Sequence, residues 1–338
     1  LSMGICDYAL AGGVNCMLDP GAFIAFSNAK MLSPTGTIYS FDERANGFVR
    51  GEGCGLVLLR PLAKAVAAGD RIYGVIRQCM MNQDGHTPTI TAPNGEAQHA
   101  MLLGLMERSD VDPLDVDYIE AHGTGTQVGD PIEATAIGRV FGQDRTERPV
   151  HIGSFKPNLG HLESASGVAG FVKALLSAQH GIVAPNYNFE RPNPEIPFDA
   201  LGIAVATEPT PYAPTRRPGL AAVNSFGFGG SNASVLIEAW RAPRHRSPAG
   251  RPVEAGQPVV VPLSASNPAG LSLWAGRIAD AMEEGGAVTG LSVGEIAVHL
   301  ASRRDHFGER AAILVEGDAA DLRRKLRVFA EGDVSSVE

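Results

Sequence analysis

The sequence predicts an α/β fold, and three observations carry that expectation. Apolar runs of strand length alternate with helical stretches from Cys6 to Glu238. Glycine and proline punctuate the junctions between them. Two of the runs end in a Gly-rich turn that leads into a helix, which is where open α/β sheets gather their ligands. With 338 residues the chain can bury more than one core, and two domains are the natural expectation.

Taken in order, Cys6–Asn15 reads as a buried strand ending at a turn. Pro20–Leu32 reads as a helix or loop with Phe23, Ile24 and Phe26 facing inward, and Leu32–Gly36 as a turn. Gly51-Glu52-Gly53-Cys54-Gly55 leads into Leu56–Leu59, a continuous apolar strand of the kind covered on both faces. A helix over Leu62–Ala68 and a strand over Ile72–Met81 follow. Asn82-Gln83-Asp84-Gly85 is a turn, the segment to Gly95 is irregular, and Glu96–Glu107 is a helix.

The rest of the chain is organised around Val116–Gly170. Tyr118-Ile119-Glu120-Ala121 ends at His122-Gly123-Thr124-Gly125-Thr126, and a helix begins with Asp130 as N-cap, Pro131 at its first position and Glu133 three on from the cap. A second strand, from His151, leads to Lys156-Pro157-Asn158-Leu159-Gly160-His161. The helix Leu162–Ala178 follows, its Ser164, Ala165, Ser166, Gly167, Ala169 and Gly170 allowing close packing. Gln143–Arg148 is a polar loop between the two halves. Beyond Gly181, four prolines at Pro185, Pro192, Pro194 and Pro197 make an extended segment. Leu201–Ala206, Gly219–Val223 and Ala233–Glu238 are strands, and Asn224–Asn232 is a Gly-rich loop. Arg241–Gln257 turns to Pro, Arg, Gly and Glu, a linker. After it come a strand over Val259–Leu263, a helix over Pro268–Met282 capped by Asn267, a helix over Val293–Ser302, a strand over Ala311–Val315 and a helix over Ala319–Phe329.

Composition excludes several function classes. The net charge is −9, and the one basic cluster, Arg241–Arg246, is short and broken by proline, so no nucleic-acid partner is expected. No apolar run reaches transmembrane length and no signal-peptide pattern appears, so the expectation is a cytoplasmic chain with no membrane partner. Four irregularly spaced cysteines make neither a disulfide framework nor a zinc site, and no metal is expected. Leu1 is not an initiator methionine and the chain opens as though midway through an element, so it reads as a segment of a longer polypeptide.

A lone histidine in a turn is usually structural. Two at similar strand-to-helix junctions, one with a lysine five residues before it, point to chemistry. At a helix N-terminus the dipole disfavours imidazolium, so His161 should stay neutral and donate one N–H. Neutral donors suit a developing enolate or oxyanion.

His122-Gly123-Thr124-Gly125-Thr126, Lys156-x-Asn158-x-Gly160-His161 and Asn224-Ser225-Phe226-Gly227-Phe228-Gly229-Gly230-Ser231-Asn232, in this order, resemble the β-ketoacyl synthase (ketosynthase) family, closest to ketosynthase domains of type I polyketide synthases. The likeness runs from Leu1 to about Trp240. It implies a thiolase-like five-layer αβαβα fold, with most of the second half and only the end of the first present here, in a ketosynthase domain over 1–240. It implies a linker over 241–257 and, over 258–338, the small α/β domain that joins ketosynthase to acyltransferase. The implied activity is decarboxylative Claisen condensation of an enzyme-bound acyl thioester with malonyl or a substituted malonyl on an acyl carrier protein. No cofactor is expected on the domain itself; 4′-phosphopantetheine arrives on the carrier. The implied partners are that carrier, a downstream acyltransferase domain and a second copy of the chain.

By the same resemblance, His122 and His161 would donate to the malonyl thioester carbonyl as it becomes an enolate, and one would also polarise the nucleophile. Lys156 would pair with Glu163 or another buried acid and hold the histidines. Phe228, with Gly229 beside it, would gate the site and supply a second oxyanion-hole N–H. Thr124, Thr126 and Asn232 would bind the substrate and its pantetheine arm, while His86, Thr87 and Thr91 face either an acyl chain or solvent. The family's nucleophilic cysteine lies in an Ala-Cys-Ser-type elbow upstream of the Ala11-Gly12-Gly13 turn, and no such elbow occurs here. Cys6, Cys16, Cys54 and Cys79 read as inert buried thiols, so the nucleophile is expected before Leu1. Phe155, Pro157 and Ser234 depart from the commonest family pattern and leave the subclass open. A thiolase would need a second cysteine late in the chain, and none follows Cys79. A fatty acid synthase ketosynthase and a decarboxylation-only or condensation-silent relative remain as alternatives.

Overall fold

The computed structural model describes the chain except for residues 146–147, 213–216, 241–256, 284, 287, 317 and 333–338. The linker expected over 241–257 therefore falls almost wholly outside the described residues, as does part of the 143–148 loop. The chain divides into two compact units, Leu1–Arg241 and Ala242–Glu338.

The first unit opens with β1 (Ala9–Asn15), α1 (Gly21–Asn28), β2 (Gly53–Leu59) and α2 (Leu62–Ala68). It continues with β3 (Gly74–Gln83), α3 (Gly95–Ser109), β4 (Tyr118–Glu120), α4 (Gly129–Phe141), β5 (Val150–Gly153), the single turn α5 (Lys156–Leu159) and α6 (Ser166–His180). The short strands β6 (Ile182–Val183), β7 (Ile203–Val205) and β8 (Thr210–Pro211) precede β9 (Leu220–Phe226) and β10 (Ser231–Ala239). Six strands form a mixed sheet in the order β3-β10-β9-β4-β5-β7. Its β9-β4-β5-β7 part is parallel, and β3 and β10 are antiparallel to their neighbours.

Helices cover both faces of this sheet. Met101, Leu102 and Leu105 of α3 and Ile137 and Phe141 of α4 share one core with Ile119, Ile152 and Leu236. On the other face, Ala174 and Ala178 of α6 pack with Tyr118, Val223 and Ile237. Small residues keep α6 thin enough to touch the two-stranded β1–β2 ribbon as well. The layers in order are α3/α4, the six-stranded sheet, α6 and the ribbon, four of the five expected.

The ribbon corrects three expectations. Cys6–Asn15 and Leu56–Leu59 are not buried strands. Alternation along each strand puts one face against α6 and the turn before it, where a Cβ on Gly13 would lie 2.2 Å from the Ser164 carbonyl oxygen. The opposite face stays open, with Leu10, Val14, Leu56 and Leu58 all more than 60% exposed. Cys54 lies on that open face, and Cys6, Cys16 and Cys79 are exposed too, so none is the buried thiol expected. Phe23 and Ile24 likewise point outward, and only Phe26 is partly covered.

In the second unit, β11 (Val259–Ala265) pairs antiparallel with β12 (Glu309–Val315), and α7 (Pro268–Ala281), α8 (Val293–Ser302) and α9 (Ala319–Ala330) accompany them. Asn267 caps α7 through the Gly270 N–H, and Ser292 with Glu295 forms a capping box on α8. Val261, Leu263, Ile313, Leu322 and Leu326 make its core. Among the described residues no helix is long and apolar enough to cross a membrane, and no group of three or more His, Cys, Asp or Glu is arranged to hold a metal.

Candidate active site

The parallel strands β4 and β5 end side by side, and the chain beyond them builds the site. His122 follows β4 by two residues. His161 comes later than a simple strand-to-helix turn would put it. The single turn α5 intervenes, Gly160 reverses the chain at φ +79°, and a short 3₁₀ turn over Glu163–Ala165 precedes α6. The expected helix over Leu162–Ala178 thus begins at Ser166. These detours bring the two imidazoles together, with ring centroids 5.4 Å apart and planes at 82°.

Hydrogen bonds define which nitrogen of each ring is free. The Glu163 backbone N–H donates to His161 Nδ1 at 3.0 Å, and Ser166 Oγ lies 2.8 Å from the same atom. The Phe226 N–H donates to His122 Nδ1 at 3.4 Å. A backbone N–H can only donate, so both Nδ1 atoms are acceptors and both neutral rings carry their proton on Nε2. Burial, with the nearby Lys156 charge and His161, holds His122 well below the usual histidine range. Burial and Lys156 together push His161 down to about 3. Both rings are therefore neutral donors at physiological pH.

Lys156 is almost fully buried and donates through Nζ to the His122 carbonyl oxygen. Burial pulls its pKa down to about 8, against the pull of Glu120, Glu133 and Asp130. Glu163 is not its partner: that carboxylate is held by Arg50. The acids that face Lys156 are the buried group that sequence alone could not single out.

Those acids hold the His122 loop by its backbone. Glu133 accepts from the His122 and Gly123 N–H groups, both at 2.8 Å, and from Asn224 Nδ2 at 3.2 Å. Asp130 accepts from Phe41 N at 2.7 Å, Gly125 N at 3.2 Å and Thr126 N at 3.4 Å. Burial raises the Glu133 carboxyl, and burial with the neighbouring Glu133 raises Asp130 to about 7. Asp130 is thus not the N-cap of α4, which begins one residue earlier with Thr126 Oγ1 accepting from the Gly129 N–H. Both acids are spent on the loop instead. Glu120 accepts from Phe155 N–H at 2.7 Å and from Tyr118 Oη–H at 2.6 Å, and pairs with Lys173 at 2.8 Å. A carboxylate inside the short apolar run Tyr118-Ile119-Glu120-Ala121 was the signal that could have marked Glu120 from sequence, and the structure buries that strand wholly.

The two histidines line a cavity of about 1010 Å³ together with Thr124, Thr126, Phe226 and Phe228. The Thr124 and Thr126 hydroxyls lie 3.2 Å apart. The Asn224–Asn232 loop is shorter than expected, because β9 runs to Phe226 and β10 resumes at Ser231. Its tip has Gly229 at φ +103° and Gly230 at φ +89°, a conformation that glycine alone adopts freely. Phe228, 61% exposed, stands at the cavity with its ring 6.2 Å from Phe26, and its N–H has no partner among the described residues. Asn232 lies apart from the cavity: it is buried at the start of β10 and donates to Asp84 at 2.7 Å and Asn82 at 3.2 Å. Thr91 is on the cavity wall, whereas His86 and Thr87 are not. None of the four cysteines reaches it.

Comparison with known proteins agrees with this geometry. Profiles of the β-ketoacyl synthase N-terminal domain, its C-terminal domain and the ketoacyl-synthetase C-terminal extension match residues 1–65, 73–190 and 192–296. The chain is 44% identical over 329 residues to a component of the phenolphthiocerol/phthiocerol polyketide synthase of Mycobacterium tuberculosis, covering 97% of this chain and 17% of that protein. It is 43% identical to polyketide synthase GfsA of Streptomyces halstedii, covering 98% of this chain and 4% of that one. Among solved structures, the ketosynthase from module 6 of the Bacillus subtilis bacillaene synthase superimposes with a TM-score of 0.83 at 34% identity, over 98% of this chain and 56% of its own. The Streptomyces albus oxazolomycin ketosynthase domain OzmH KS7 does so with a TM-score of 0.84 at 34% identity, over 99% and 57%. The chain thus spans little more than half of these ketosynthases and a small part of the curated relatives.

Proposed function

Because the chain belongs to the β-ketoacyl synthase family, whose thiolase-like fold its first unit carries in part, we propose that it holds the decarboxylating half of a polyketide synthase ketosynthase site. The reaction is condensation of an enzyme-bound acyl thioester with malonyl or a substituted malonyl unit presented on the phosphopantetheine of an acyl carrier protein. One observation carries this reading: two neutral imidazoles, each with Nδ1 accepting from a backbone N–H, line one cavity with ring centroids 5.4 Å apart, and neither Nε2–H has a partner among the described residues.

In this mechanism the malonyl thioester carbonyl accepts from both Nε2–H groups. The carboxylate leaves as carbon dioxide, and the electron pair of the broken C–C bond passes into the enolate, whose oxygen the two donors stabilise without becoming full proton donors. The enolate carbon attacks the acyl thioester carbonyl and the thiolate departs to be reprotonated. Lys156 anchors the His122 carbonyl. The free Phe228 N–H, on a loop whose glycines permit close approach, stabilises the second oxyanion. Thr124 and Thr126 bind the pantetheine arm. The thiol that carries the acyl group is assigned to none of the four cysteines here, since none of them lines the cavity.

Residues 1–240 are read as ketosynthase and 258–338 as the domain joining it to an acyltransferase. The assembly is read as cytoplasmic and dimeric, with carrier protein and acyltransferase as partners. The named relatives favour polyketide over fatty acid synthesis. The test is His161→Ala in the complete ketosynthase: malonyl-carrier decarboxylation should be abolished, and carbon dioxide release at the wild-type rate would refute the assignment.

A further inference from the structure

The pair formed by Arg50 and Glu163 is not needed to bind any group in the reaction above, yet it is built around His161. Arg50 donates through Nε to Glu163 Oε1 and through Nη2 to Oε2 at 2.9 Å, a two-point grip with the Arg50 side chain 6% exposed. Its guanidinium carbon lies 4.5 Å from the Phe23 ring centroid and 5.5 Å from that of Phe26. Glu163 sits at φ +47°, a conformation uncommon for any residue but glycine, and costly unless its surroundings enforce it. That backbone geometry aims the Glu163 N–H at His161 Nδ1. The extended segment around Arg50, which forms an isolated parallel bridge to His161, also grips it directly: His161 N–H donates to Val49 O at 2.7 Å, and Gly51 N–H donates to His161 O at 2.9 Å. Phe48 closes the arrangement with its ring 5.1 Å from the imidazole.

We propose that Arg50, acting through Glu163, is a positioning residue that enforces the backbone turn presenting an N–H to His161 Nδ1, and so fixes which nitrogen of that ring faces the substrate. If the grip is lost, the turn relaxes from its left-handed conformation and the Glu163 N–H leaves Nδ1. The ring can then rotate or take the other tautomer, which offers the cavity a lone pair in place of a donor. The groups that face His161 are His122 from the loop after β4, Lys156 from α5, Ser166 at the start of α6 and the Arg50–Glu163 pair itself.

This inference rests on the proposed decarboxylation, and the experiment separates the two. Arg50→Met, Glu163→Ala, Glu163→Gly, Glu163→Gln and His161→Ala are made in the complete ketosynthase, and malonyl-carrier decarboxylation is followed from about pH 5 to pH 8, the range in which an ordinary histidine titrates. Glu163→Ala removes the grip but keeps the Cβ that disfavours the positive φ, and it carries the test should Arg50→Met not fold. Both should lower kcat on the order of 100-fold, the usual cost of a misplaced catalytic group, with KM unchanged. Both should also introduce a fall in rate toward acid pH as a looser, wetter His161 regains a more ordinary pKa. Glycine adopts the positive φ without enforcement, so Glu163→Gly should hold the turn and keep more activity than Glu163→Ala, as should Glu163→Gln, which still offers Arg50 an oxygen. Folded Arg50→Met and Glu163→Ala proteins with wild-type kcat and pH profile would overturn the inference, as would a loss in kcat with no change in profile. Undiminished activity in His161→Ala would instead overturn the functional reading on which it rests.

Discussion

Replacing Lys156 with methionine tests how the site is held together. The ammonium is buried, donates to the His122 carbonyl and faces the Glu120, Glu133 and Asp130 carboxyls. Removing one member of a buried ionic group costs about 3–5 kcal/mol, because the remaining charges lose their compensation. Here the lower figure applies. Burial outweighs the acids and brings the lysine to about 8, so desolvation already consumes part of what the attraction supplies. In a unit of this size each kcal/mol shifts Tm by about 2–4 °C, so Lys156→Met should lower it by roughly 6–12 °C. The same change should raise both histidines, since the Lys156 charge helps to hold each of them down, though burial, the larger cause, keeps them below the ordinary range. Catalysis requires neutral rings, so the acid limb of decarboxylation should move to higher pH in the variant while staying below that of a solvated histidine. Decarboxylation should also slow on the order of 100-fold, as the His122 loop loses its anchor. Calorimetry and carbon dioxide release against pH measure both effects. A Tm within about 1 °C of wild type, as expected for an exposed lysine, would refute this account.

Three further outcomes follow from the same geometry. Asp130, raised from its unfolded 3.8 to about 7, favours folding in its protonated form, so its contribution is present in acid and lost as pH rises toward 7; Asp130→Asn should remove that part of the decline in Tm between about pH 4 and pH 7, while lowering Tm overall by turning an amide N–H against backbone donors. Gly230→Ala should destabilise the β9–β10 turn by about 1–3 kcal/mol, seen in calorimetry, because its φ is +89° and the added carbon would meet Gln83 Oε1 at 2.6 Å. Thr124→Val keeps the shape but removes the hydroxyl, so KM for malonyl-carrier should rise about 5-fold with kcat little changed in steady-state assays, as expected for one neutral hydrogen bond of about 1 kcal/mol.

What the sequence disclosed was local, and what it hid was distant. His122, Lys156 and His161 could be read because a Gly-rich turn after an apolar run is a short-range signal, and the structure brings all three to one place. Asp130 and Glu133 were read as a helix start because their spacing suits one. That spacing cannot say whether a carboxylate turns to its own helix or to a loop, and here burial beside His122 decides for the loop. Arg50 and Glu163 stand 113 residues apart in the chain, so no pattern at either end announces the other. The β1–β2 ribbon shows a different limit. An apolar run such as Leu56–Leu59 identifies a strand and suggests cover on both faces, but cover is supplied by a separate layer, which a strand's own composition cannot place. The reaction follows the same division: the donors come from turns legible one at a time, whereas their neutrality and tautomers come from burial, Lys156 and backbone N–H groups that only the folded chain assembles.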